Sequence, residues 1–164
     1  MGFLDKVLGR KNEEAGKIAR AANSAAPLRE TAAQPWDNSL EERLIDWLDK
    51  VLEQDVPAEV KAFCFNLYEG DAGEWSLELV GTERFDMEDE DWACDEVTDF
   101  GTRDNPFTWE EAAGWERVLA EIRDILWYYV ADNHAGKYAD KLADRAGVGV
   151  GFVDGNIEII SHRM

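Results

Sequence analysis

FCFNLYEGDAGEWSLELV, residues 63–80, is the stretch that decides the fold class of this chain. Strongly apolar side chains recur at every second position in two runs, which is the period of a β-strand with one buried face. The loop between the runs, residues 69–73, contains two glycines that suit a reversal of the chain. The side chains predicted to face the core are Phe63, Phe65, Leu67, Trp75, Leu77 and Leu79. The segment therefore predicts an antiparallel hairpin that packs on the core through one face.

Helices are predicted on both sides of this hairpin. Residues 39–42, Ser-Leu-Glu-Glu, form a capping box, and an apolar stripe continues from there to about Gln54. Residues 108–111, Thr-Trp-Glu-Glu, form a second capping box, which predicts a helix ending near Ala131. A short helix is expected over residues 137–146.

The remaining strands are predicted at residues 92–97 and in a final hairpin over residues 148–160. Asp154-Gly155 is a strong signal for the two-residue turn of that hairpin. Gly149 and Gly151 leave a bare strand face that another element can approach closely. The order of elements predicts the α+β class, with an antiparallel sheet of about five strands and helices packed on one face.

Three regions are expected along the chain. Residues 1–22 predict an amphipathic N-terminal helix, and residues 23–37, with two prolines and many small residues, read as a linker. Residues 38–164 are expected to form a single α+β domain.

The charge is strongly negative and unevenly distributed. The chain has a net charge of −19, and residues 54–101 carry fifteen acidic and two basic residues, a net of −13. Such a field disfavours nucleic acid and anionic membranes as partners and accelerates association with basic proteins. Two interpretations stay open at this point, namely solubility alone and a basic protein partner.

The negative charge is densest in residues 83–99, ERFDMEDEDWACDEVTD, where nine of seventeen residues are acidic. Because Phe85 and Trp92 are interspersed among the acids, we expect an acidic surface that is anchored to a core. Most tryptophans of the chain lie at inward spacings, whereas Trp92 is flanked by carboxylates and, if exposed, would suit a contact with a Lys- or Arg-rich partner. The predicted partner-binding residues are Asp86, Glu88, Asp89, Glu90, Asp91, Trp92, Asp95 and Glu96.

The N-terminal segment supports an alternative function. It is the basic part of the chain, and its apolar residues share one helical face. The alternative is a peripheral-membrane or scaffold adaptor that docks through this helix, although a terminal helix packed on its own domain would have the same pattern. The predicted docking residues are Phe3, Leu4, Val7 and Leu8.

Signals for catalysis, cofactors and metals are weak. A calcium loop counted from Asp86 fails because Asp91 stands where the central glycine is required. Cys64, Cys94, His134 and His162 lack the close pairings of a zinc site, and both cysteines are expected to be buried reduced thiols. No pair of carboxylates stands out as a candidate for acid–base catalysis. The sequence therefore predicts a protein that is not an enzyme and has no cofactor or metal. The absence of a secretory signal or an apolar span predicts a cytoplasmic protein.

Four runs of the sequence resemble a known group of proteins. FCFNLYEG (63–70), WSLELVG (75–81), DEDWACDE (89–96) and VGVGFVDGNIEII (148–160) are similar to small acidic α+β immunity proteins of bacterial toxin systems. The resemblance implies a cytoplasmic bacterial inhibitor that blocks a basic toxin, such as a nuclease, by direct contact through the acidic residues. It covers about residues 58–164.

Overall fold

The computed structural model describes residues 38–131 and 136–164. Within these ranges, α1 spans Asn38–Glu53, α2 spans Trp115–Ala131 and α3 spans Ala139–Ala143. The strands are β1 (Ala62–Glu69), β2 (Glu74–Thr82), β3 (Glu96–Gly101), β4 (Phe107–Glu110), β5 (Gly147–Phe152) and β6 (Glu158–His162). Short 3-10 helices occupy Asp71–Gly73 and Glu90–Cys94. Residues 40–164 form one compact unit.

The predicted first hairpin is confirmed. β1 and β2 pair antiparallel, with Phe65 opposite Leu79 and Leu67 opposite Leu77. The connecting turn uses a left-handed backbone at Gly73, with φ of 85°, a conformation that glycine adopts without steric cost. The residues that were predicted to face the core therefore lie on the same side of the sheet.

The predicted α+β class is confirmed, but the predicted antiparallel sheet is only partly right, because the sheet is mixed. The strand order is β3-β2-β1-β5-β6, and β4 also pairs with β2. β5 pairs parallel with β1, placing Phe63 opposite Val148 and Phe65 opposite Val150. Helices α2 and α3 lie between the first hairpin and β5 in the sequence. This long connection lets the chain cross back over the sheet, so β5 runs in the same direction as β1. In the described part of the chain the sheet has six strands, where about five were predicted.

The second predicted capping box does not start a helix. Residues 107–110 form β4, in which Phe107 and Trp109 are buried while Thr108 and Glu110 are exposed. β4 pairs with β2, and Trp109 lies opposite Trp75. Burial of the two aromatics in a strand outweighs a capping box, which contributes about 1 kcal/mol. Helix α2 begins at Trp115, where the carbonyl oxygen of Gly114 accepts hydrogen bonds from Arg117 and Val118.

The helices pack against one face of the sheet. The main core joins Leu44 and Leu48 of α1 and Ile122 of α2 to Phe63 and Phe65 of β1. A separate apolar cluster lies on the opposite face of β1 and β2, and it is formed by Ala62, Cys64, Val80 and Trp92. Among the described residues, the acidic part of the chain covers this second cluster, and none of α1, α2 and α3 does.

No helix among the described residues has both the length and the apolar character needed to cross a membrane.

Candidate functional site: an acidic segment held against the sheet

The acidic segment, defined here as residues 83–96, packs on the sheet through two aromatic side chains. Trp92 has 0% of its surface exposed and belongs to the cluster with Cys64 and Val80. Phe85 is half-buried and meets Trp92 edge to face, with ring centroids 5.1 Å apart, which is a favourable aromatic geometry. The expectation of an acidic surface anchored to a core is therefore confirmed.

Glycines of β5 make room for these rings. A Cβ atom on Gly147 would lie 2.1 Å from Cε2 of Phe85. A Cβ on Gly149 would lie 2.6 Å from Cγ2 of Ile157 and 3.2 Å from Cζ2 of Trp92. Real side chains do not approach this closely, so any larger residue would displace its neighbours. The bare strand face predicted from the glycine at position 149 is where Trp92 packs.

Backbone hydrogen bonds close the acidic segment at its base. The amide of Glu83 donates to the carbonyl of Asp95 at 2.9 Å, and the amide of Asp95 donates to the carbonyl of Trp92 at 3.2 Å. The Thr82 hydroxyl lies 3.0 Å from the carbonyl of Arg84, to which it donates. The segment thus leaves β2 and returns to β3 as a closed loop on a fixed base.

Arginines organise part of the negative charge. Arg84 pairs with Asp95 and, at 3.4 Å, with Asp89. The pKa of the Arg84 guanidinium is raised, first by its hydrogen bond to Asp95 and then by the charges of Asp95 and Asp89. Arg103 pairs with Glu96 at 3.1 Å. These ion pairs are exposed, so each contributes little to stability, but they fix where the carboxylates point.

The other carboxylates remain available for a partner. Asp86 accepts a hydrogen bond from the amide of Glu88 at 2.9 Å, and Glu90 accepts one from the amide of Ile157 at 3.4 Å. Within the described residues, the side chains of Glu88 and Asp91 make no hydrogen bond or ion pair. The predicted acids that are exposed to solvent are Asp86, Glu88, Asp89, Glu90, Asp91 and Asp95, and Glu96 is half-buried.

Trp92 needs a correction as a predicted contact residue. It is fully buried, so it cannot form the exposed aromatic contact that its flanking carboxylates suggested. Its indole Nε1 has no hydrogen-bond partner among the described residues. Its role is to anchor the acidic segment. The nearby sequence does not signal this burial, because the cluster that receives Trp92 comes from β1, β2 and the β5–β6 region.

The two cysteines differ in exposure. Cys64 is buried, as expected, and its thiol donates to Oδ1 of Asn66 at 3.4 Å. Burial, followed by the charges of Cys94 and Glu96, raises the pKa of the Cys64 thiol to about 12. Cys94 is exposed, so the expectation that it is buried is wrong. It ends the 3-10 helix of the acidic segment, where the neighbouring Trp92 takes the inward position.

Other predicted positions give no second site. No group of three or more His, Cys, Asp or Glu residues that could hold a metal is found in the described part of the chain. His162 is exposed at the end of β6. His134 and the N-terminal docking residues lie outside the described residues, which also exclude the predicted N-terminal helix and linker. The outside positions are Phe3, Leu4, Val7 and Leu8.

A groove elsewhere in the domain was not predicted. It has a volume of about 780 Å³ and lies between the start of α2 and the β5–β6 turn. Trp115 lies at the helical spacing of the apolar residues of α2, yet 51% of its surface is exposed. The first residue of an amphipathic helix can be exposed even when it continues the apolar spacing of the helix. Periodicity alone therefore does not predict that Trp115 lines a groove.

Comparison with protein-family models, with curated proteins and with solved structures gives no match for this chain.

Proposed function

We propose that this chain is a non-catalytic protein-binding module whose acidic segment docks a basic protein. The observation that carries the proposal is the anchoring of the segment by Phe85 and Trp92, which presents exposed carboxylates on a fixed backbone. An acidic stretch that served solubility alone would not require a buried tryptophan. Together with the resemblance of four sequence runs, this supports an immunity-type inhibitor of a basic toxin, such as a nuclease.

The physical advantage of anchoring is preorganisation. A loop that is already ordered does not lose conformational freedom on binding, so more of the interaction free energy appears as affinity. Clustered surface charge also attracts an oppositely charged partner before contact and raises the association rate. Mutations at such exposed charges are expected to change the association rate and its salt dependence more than the dissociation rate.

The carboxylates for a test are chosen by their ion pairs. Reversing Asp89 or Asp95 would also break the ion pairs of Arg84 and could alter the loop itself. Glu88 and Asp91 are exposed, and the double variant Glu88→Lys/Asp91→Lys leaves those pairs intact. Asp46→Lys/Glu53→Lys, on the exposed side of α1, is a control with the same change of net charge.

The test is affinity purification from the source cells with three parallel baits, namely the wild-type chain and the two double variants. We expect a basic protein that is retained by the wild type and by the α1 control and lost on Glu88→Lys/Asp91→Lys. Equal retention of the same proteins by all three baits would refute the acidic docking surface.

The inhibitor function is tested next on the partner so identified, as a purified protein. If the partner is a nuclease toxin, its nuclease activity should fall to background when an equimolar amount of this chain is added. Full nuclease activity in the stable complex would reject inhibition and leave only the binding module.

A further inference from the structure

The unpredicted groove lies at the carboxyl ends of the parallel strands β1 and β5. One side is the first turns of α2, and the other is the turn from β5 to β6. Its volume of about 780 Å³ is within the usual range for ligand pockets and leaves ample room for a long side chain. The lining residues that matter here are Glu69, Trp115, Leu119, Phe152, Val153 and Asp154.

Trp115 is exposed yet held in place. Its ring meets Phe152 edge to face at 6.2 Å, and Phe152 meets Trp75 at 6.0 Å. Trp75 is buried, and its indole nitrogen donates to the carbonyl of Glu111 at 3.0 Å. This series of rings connects the exposed indole to the core. Trp115 is also the first residue of a seventeen-residue helix, so its position is set by a rigid element.

The charge of the groove favours a cation. Among the described residues that line it, none is Lys, Arg or His. Glu69 and Asp154 make no ion pair with any other residue of the described ranges. A third lining carboxylate, Glu158, is paired with Arg123 at 3.0 Å. The N-terminal end of α2 carries a partial positive charge that opposes a cation, but Glu116 in the first helical turn offsets it.

The β5–β6 turn links the groove to the acidic segment, which packs on the opposite face of the sheet. The amide of Ile157, at the end of the β5–β6 turn, lies 3.4 Å from Oε1 of Glu90, to which it donates. The same turn contributes Asp154 to the groove. A partner that docks on the acidic segment and extends around this turn would reach the groove.

We propose that the groove receives an arginine or lysine side chain from a basic partner. The side chain stacks on the exposed face of Trp115, and its cationic end is directed at Asp154 and Glu69. Indole is the best aromatic surface for a cation, and exposed tryptophan is common among residues that dominate binding energy. This inference rests on the proposed function and deepens it, because it adds a specific aromatic–carboxylate pocket to a general acidic surface.

The test is a titration of the full chain with the peptide acetyl-Arg-Leu-Arg-Leu-Arg-Leu-amide, followed by the indole N–H signals in nitrogen–proton NMR spectra. The signal of Trp115 should shift in a saturable way. The signal of Trp127, which is 58% exposed on the same helix but does not line the groove, should remain in place. A matched peptide with Glu in place of Arg should leave the Trp115 signal unchanged.

Affinity measurements with single variants complete the test. Trp115→Ala should weaken binding of the Arg peptide about tenfold, and Asp154→Asn should weaken it several-fold, while the control Trp127→Ala should bind like the wild type. Equal affinity of Trp115→Ala and Trp127→Ala, or equal binding of the Glu peptide, would overturn the pocket. If Glu88→Lys/Asp91→Lys loses the basic partner while Trp115→Ala retains it fully, the pocket is rejected and the acidic docking surface stands.

Discussion

Trp92 connects the most acidic part of the chain to the sheet. It is fully buried against Cys64 and Val80 on the face opposite the helices, and Phe85 packs edge-on against its ring. Burial of a large aromatic side chain is a major stabilising contribution in a domain of this size. The negative charges around it repel one another, so the packing of this one ring offsets part of that repulsion.

Replacing Trp92 by alanine should lower the free energy of unfolding by about 3–5 kcal/mol, the usual cost of removing a buried aromatic ring. Urea denaturation followed by circular dichroism measures this loss. Trp127→Ala is the control, because more than half of that side chain is exposed, and its effect should be within about 0.5 kcal/mol. A loss below about 1 kcal/mol for Trp92→Ala would mean that the ring does not anchor the segment.

Some residue-level features could be predicted from sequence and others could not. The alternation in residues 63–80 predicts which side chains face the core, because a strand places successive side chains on opposite faces. The burial of Trp92 could not be read in the same way, since its neighbours are acidic and its packing partners lie in other elements. The exposure of Cys94 follows from the same local arrangement, because the 3-10 helix turns Trp92 inward.

At the scale of elements, β5 takes part in the packing on both faces of the sheet. Val148 and Val150 join the core under the helices, while Gly147 and Gly149 receive Phe85 and Trp92 on the opposite face. The acidic segment can approach closely because these glycines have no side chains. β5 thus couples the position of the acidic segment to the core.

Gly147→Ala should destabilise the protein by about 1–3 kcal/mol, because the new methyl group overlaps the ring of Phe85. Gly101→Ala in β3 is the matched control, since the nearest atom to its Cβ would be 3.8 Å away. A double-mutant cycle compares the free energies of unfolding of the wild type, Gly147→Ala, Phe85→Ala and the double variant Gly147→Ala/Phe85→Ala. The pair should cost at least about 0.5 kcal/mol less than the sum of the single changes, and additive costs would show that the two residues do not compete for space.

Local sequence motifs alone do not predict where every helix and strand begins. The capping box at residues 39–42 lies in the first turns of α1, and the equivalent pattern at residues 108–111 lies at the end of β4. The difference is tertiary, because β4 pairs with β2 and buries two aromatics there. The parallel pairing of β5 with β1 is also tertiary, since a hairpin pattern defines direction only between its own two strands.

At the scale of the whole molecule, the two faces of the sheet have different roles. Helices cover one face and form the main core, and the acidic segment covers part of the other. The negative charge is therefore displayed from a surface that is itself packed on the sheet. The charge excess could be predicted from sequence, whereas the anchoring of the acidic segment depends on contacts between distant parts of the chain.

The proposed docking surface is tested directly by the binding of a fluorescent nona-arginine peptide, measured by anisotropy at about 20 mM and about 500 mM salt. At low salt, Glu88→Lys/Asp91→Lys should weaken binding about tenfold more than the charge-matched Asp46→Lys/Glu53→Lys on α1, because a local cluster attracts a cation more strongly than net charge does. High salt should remove most of the difference, since exposed charges are then screened. Equal weakening by the two double variants at low salt would contradict the acidic segment as the site where a basic partner docks.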